Sequence, residues 1–189
     1  AYNYAFYLFG AALNSLFLLY VGVLSFSTLG LITGLTSSAI RPKAEQIRAE
    51  RRDRVMGWLI IVVALILGLF WIGTSVDFIV SGAVPAMVTA TAHPTNVAGA
   101  LDLWLVVTFG VLGGTWLVLE KAWGFIISAL WTVKGAVYMT ALSAASVSTF
   151  VSGTTDSLAQ LGLWVPIGGI CIMGASVLLR AGGPADGLN

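Results

Sequence analysis

One cysteine, Cys171, and one histidine, His93, are the only such residues in a chain of 189. A disulfide needs two thiols, so none closes within a single chain. Zinc and other transition-metal sites need three or four converging His, Cys or carboxylate ligands, so neither a metal site nor a metalloenzyme is expected. Charge is scarce as well: 9% of the residues are Asp, Glu, Lys or Arg, whereas a soluble domain of this length spreads charge over its whole surface. A P-loop, a dinucleotide fingerprint, an HExxH pair and a nucleophile elbow are all missing, and no set of catalytic residues stands out. Nothing in the sequence implies a particular cofactor. Nucleic acid is not an expected partner.

What the chain has is apolar length. Hydrophobic residues make up 58% of it, and stretches such as 55–72 and 101–119 carry no charge, or one near an end. About 18–20 apolar residues let a helix cross a ~30 Å hydrocarbon core. Backbone groups in lipid must pair internally, which leaves helices or closed barrels, and the strand-like alternation of a barrel does not appear. The expected fold is therefore an all-α integral membrane protein, a single domain of five transmembrane helices. The spans fall at about 5–35, 55–81, 97–119, 123–150 and 158–179. The first four residues lack the basic start of a signal peptide, and the apolar stretch after them is too long for one, so a retained first span is expected. At 1.5 Å per residue that span would reach roughly 45 Å and would have to tilt, kink or project; Gly22, Gly30 and Gly34 offer places to bend.

Six of the nine basic residues sit in one short segment: Arg41, Lys43, Arg48, Arg51, Arg52 and Arg54. Basic residues in short loops mark the cytoplasmic side. Loop 36–54 is then cytoplasmic, and Lys121 and Arg180 join it on that side. Asp77, His93, Asp102 and Asp156 fall on the other side, which carries no Lys or Arg. The N-terminus is outside and the C-terminus inside. Trp58, Trp116 and Trp123 fall near the inner boundary, and Tyr2, Tyr4, Tyr7, Trp104 and Trp164 near the outer one, as an aromatic belt requires. The basic loop reads either as a topology signal or as a site for anionic lipid headgroups, at ~1 kcal/mol per basic residue near the surface.

Candidate site residues are few. In the outer loop, 82–96, Pro94 holds His93 extended, and Thr95 or Asn96 can cap the third helix; His93 itself reads as a loop residue or as a proton-responsive group. Asp77 and Asp102 lie near the outer ends of their helices, Asp102 in a first turn where the dipole favours a carboxylate. They read as interfacial and inert, or as a pair of acids that attracts a cation or a proton. Lys134 is the most telling residue. It lies roughly 16 Å in from Trp123, close to the midplane, where an ionised lysine costs ~2.5–3.5 kcal/mol and faces a protein interior or a wet cavity. Asn14, Thr108 and Tyr138 fall at matching depths. Small-residue pairs, Gly110 with Gly114, Gly30 with Gly34, and Ala141 with Ala145, predict close helix contact within the bundle or with another subunit.

These readings predict a small, non-enzymatic protein of the bacterial plasma (inner) membrane. It binds or transports a small solute, a proton or a lipid through a polar site of Lys134, Asn14, Tyr138 and Thr108. The alternative is an accessory subunit of a larger, energy-transducing membrane complex that binds partner helices, lipids or pigments. Its partners are the lipid bilayer, including anionic lipids, and further copies of itself or other membrane subunits.

Overall fold

The computed structural model describes residues 2–10, 17–36, 51–89, 93, 95–154 and 157–181. Every regular element among them is helical. These are α1 (Tyr2–Gly10), α2 (Phe17–Thr36), α3 (Arg51–Ser81), the short α4 (Ala86–Thr89), α5 (Val97–Val118), α6 (Ala122–Val151) and α7 (Leu161–Ala181). Four of them are long and apolar enough to cross a membrane, through Asp53–Ser81, Val97–Val118, Ala122–Val151 and Leu161–Arg180, while Leu19–Leu35 is a shorter apolar helix. The chain divides into two compact units. One comprises Ala1–Pro42 with Ala64–Thr108, the other Lys43–Val63 with Phe109–Asn189.

The single helix expected over 5–35 is two helices instead. Thirteen residues of continuous helix would separate Tyr7 from Tyr20 by about 20 Å, yet their rings stack with centroids 5.8 Å apart. Helices α1 and α2 therefore lie side by side. Ala5 on α1 is buried with Val97 and Leu101 of α5, and Tyr2, Phe6, Leu24 and Leu105 pack around them. With nine residues, α1 reaches only about 13 Å and is too short to cross a bilayer.

Within this first unit, α5 starts on a side-chain cap. Asn96 accepts a hydrogen bond from the backbone N–H of Gly99 at 2.9 Å, as its position before an apolar run leads one to expect. The helix then widens into a π-helical stretch over Asp102–Val107. At its end Thr108 turns its hydroxyl back to the carbonyl of Leu103, 2.9 Å away.

The second unit is built on close helix contacts. A Cβ on Gly57 would lie 2.9 Å from the carbonyl oxygen of Gly114, and one on Gly114 2.7 Å from that of Gly57; α3 and α5 thus touch backbone to backbone. Helices α6 and α7 pack antiparallel. Gly135 faces Cys171, Gly174 faces Thr132, Gly168 faces Met139, and Ser146 donates to Gln160 at 3.4 Å. Without a hydrophobic driving force between helices in lipid, such van der Waals fit is what holds them. The pair Gly30 and Gly34 behaves differently: both are exposed, with nothing among the described residues within 4 Å of a Cβ at either. Ala141 and Ala145 are exposed too.

Helix ends follow glycine chemistry with one exception. Helix α6 closes in a Schellman motif, Gly153 N–H to Phe150 and Thr154 N–H to Thr149, with Gly153 at φ 70°. The end of α5 makes the same two bonds, Glu120 to Leu117 and Lys121 to Trp116, but a glutamate holds the left-handed position at φ 58°. That conformation is ordinarily left to glycine at this position.

Candidate functional site

Lys134 stands near the middle of the 30-residue α6, partly exposed, with its ammonium 4.8 Å from the centroid of the Tyr138 ring. One helical turn separates the two residues, so both project from one flank of α6. A cation over an aromatic face gains about 0.5–2 kcal/mol, more as water is withdrawn. Cys171 is buried beside them, its Sγ where a side chain on Gly135 would go.

The other two residues expected at this site are Asn14 and Thr108. Asn14 lies outside the described residues. Thr108 belongs to the first unit, and its hydroxyl is engaged with Leu103 at the π-helical stretch.

The two outer acids have different fates. Asp77 is exposed near the end of α3. Asp102 is partly buried and accepts two hydrogen bonds, one from the Tyr2 hydroxyl and one from the Trp71 indole N–H at 3.0 Å. Trp71 and Asp77 are six residues apart on one helix, about 240° around its axis, so they leave α3 on different flanks. Asp102 also sits beyond the first turn of α5, at the head of the π-helical stretch. A position there owes little to the helix dipole, whose effect fades within that turn. Asp102 is thus a specific acceptor between α1 and α3. His93 is engaged as well. Its Nδ1 hydrogen-bonds the carbonyl of Gly10, and its ring meets Phe6 edge-on at 5.2 Å. A carbonyl can only accept, so Nδ1 carries the proton.

At the far end of the second unit, Arg54 pairs with Glu120 at 3.5 Å, both about half exposed at 51% and 53%. Lys121 and Arg180 are exposed, as are Trp58 and Trp123. Arg41, Lys43 and Arg48 lie outside the described residues, and Arg51 and Arg52 begin α3. Asp53, which the sequence offers as a counter-charge in a solvated loop, is wholly buried. The Ser128 hydroxyl is also buried and finds no hydrogen-bond partner among the described residues.

Two features of this site had no counterpart in the sequence reading. One is the contact of Tyr2 with Asp102, a hundred positions apart; the other is the π-helical stretch, whose residues DLWLVV read as ordinary helix. Among the described residues no three His, Cys, Asp or Glu side chains converge as metal ligands. No family model, curated protein or solved structure matches this chain.

Proposed function

We propose that the chain is a non-enzymatic membrane protein that binds or moves a small solute, a proton or a lipid through a polar site centred on Lys134. The observation that carries this reading is an ammonium group midway along a 30-residue apolar helix, held over the Tyr138 ring at 4.8 Å. Ionisable residues at such depth are expensive to insert and mark ligand or ion paths. In this reading the chain crosses the bilayer five times, with α2 as the first crossing. The basic stretch 36–54, whose last residues start α3, is cytoplasmic, the N-terminus outside and the C-terminus inside. Its basic residues meet anionic headgroups of a bacterial plasma membrane.

A second reading has a specific observation behind it. Phe26, Leu29, Leu31 and Ile32 of α2 are all exposed, and its glycines 22, 30 and 34 meet nothing within 4 Å. Glycines spaced for close helix approach yet unused among the described residues favour an accessory subunit docking a partner helix or a second copy.

Mild detergent extraction with native mass measurement, paired with proton flux in dye-loaded liposomes, separates the two. The first reading expects a protein or homo-oligomer that carries bound lipid or conducts protons, with Lys134→Met abolishing that property and leaving size and folding intact. Methionine keeps an unbranched side chain of related length and places no new polar group in the apolar helix, so the fold itself should tolerate the change. Fixed stoichiometry with other membrane subunits, unaffected by Lys134→Met, would sink the first reading in favour of the second.

A further inference from the structure

Asp102 lies between two donors of different kinds. The Tyr2 hydroxyl can rotate and either donate or accept, whereas the Trp71 indole can only donate. As a carboxylate, Asp102 satisfies both, through Oδ1 from Tyr2 and Oδ2 from Trp71 at 3.0 Å. Adding a proton to Oδ2 sets an O–H against an N–H and loses the Trp71 bond. Adding it to Oδ1 makes the Tyr2 hydroxyl turn around and accept. Either way the charge-assisted bonds, the strong kind, give way to neutral ones. Tyr2 sits at the start of α1, which is also held by the bond between the Gly10 carbonyl and His93 and by the apolar packing of Ala5 and Phe6 on α5.

We propose that Asp102 is a proton-binding site that fastens α1, and that α1 loosens from α5 when Asp102 takes a proton from the aqueous phase. Asp102 is only partly buried and lies six residues after the Asn96 cap, near the end of α5 that adjoins the loop carrying His93. The groups facing Asp102 leave no other titrating contact to account for the effect at acid pH. From α1 it meets Tyr2, from α3 it meets Trp71, and among the described residues no ion pair involves it. His93 faces α1 through Phe6 and Gly10. Its Nδ1–H donates to the Gly10 carbonyl in both states of the ring, and more strongly when the ring is protonated, so this bond does not release α1 as pH falls. The sign is thus fixed: α1 is held when Asp102 is ionised and released as pH falls.

Hydrogen exchange on the full chain in nanodiscs tests this, with rates expressed as protection factors to remove the intrinsic pH dependence of exchange. In the parent, protection of the α1 amides should fall by about tenfold on acidification, the size of one lost hydrogen bond to a charged group. Protection in α6 and α7 should hold. Asp102→Asn should be loose in α1 at every pH, and Trp71→Phe, which removes the donor that conflicts with the acid, should flatten the pH response. His93→Gln should leave that response in place. Protection of α1 that is equal at neutral and acid pH in the parent overturns the proposal. So does a pH response that survives Asp102→Asn, or a loss that spreads equally through α6 and α7. Should Asp102→Asn fail to fold, the parent and Trp71→Phe profiles decide the matter between them.

Discussion

Glu120 shows how a single residue can sit against its local physics. A left-handed conformation costs a non-glycine residue about 1–2 kcal/mol, and Glu120 adopts one at φ 58°. Its ion pair with Arg54, at 3.5 Å and half exposed, is of a kind that contributes about 0–1 kcal/mol. Strain should therefore outweigh the pair. Glu120→Gly is expected to raise stability by about 0.5–1 kcal/mol, read as thermal unfolding in detergent, because glycine removes the steric penalty. Glu120→Ala separates the two terms: it keeps the strain and loses the pair, so it should be neutral or slightly destabilising. If Glu120→Gly destabilises as much as Glu120→Ala, the ion pair dominates and the strain argument is wrong. The side chains that mattered most in this protein were unevenly legible. Asn96 is readable as a cap because its partner Gly99 is three residues away. The partners of Asp102 are not, since Trp71 is 31 positions off and Tyr2 a hundred.

At the scale of elements, apolar length is a strong signal and apolar continuity a misleading one. The all-helical class and the four long apolar helices follow from runs that have no water to satisfy an open backbone. The division between α1 and α2 is harder to read, because Gly10, Asn14 and Ser15, residues of the kind that mark helix ends, are set in apolar sequence long enough to pass for one span. Glycines are informative only once their neighbours are known. Gly114 and Gly34 both sit in small-residue pairs, but the first touches the backbone of Gly57 and the second touches nothing. Gly124 is the most constrained case. It opens α6 directly after the turn from α5, and a Cβ there would overlap the backbone of Trp116 and Leu117. A backbone cannot swing aside as a flexible side chain can. Gly124→Ala should destabilise by roughly 1–3 kcal/mol or more, the range for overpacking. Gly30→Ala, with open space around it, should be within about 0.5 kcal/mol of the parent in the isolated protein. Equal melting temperatures for the two variants would show that the α5–α6 turn relaxes around the added methyl group.

For the molecule as a whole, orientation is the property on which every functional reading depends, and it rests on charge. The argument is asymmetric: the segment 41–54 carries six basic residues against Glu45, Glu50 and Asp53, while the stretch 82–96 carries none. Arg54, Lys121 and Arg180 all lie at helix termini, and Trp58 and Trp123 are exposed close to two of them. Basic residues beside interfacial tryptophans are what the cytoplasmic edge of a helix bundle presents. Topology can be tested with the native cysteine in place, because Cys171 is buried within α7. A cysteine introduced at Thr95, which is exposed, should react with a membrane-impermeant thiol reagent applied to intact cells, and one at Ala44 should react only after the membrane is opened. The reverse pattern would invert the protein and place the Asp102 fastening on the cytoplasmic side, where it would answer to cytoplasmic rather than external pH. Labelling of both positions in intact cells would mean that helices between them fail to cross. Of the long helices only α3 separates the two positions in sequence, so this one measurement bears directly on whether α3 spans the bilayer.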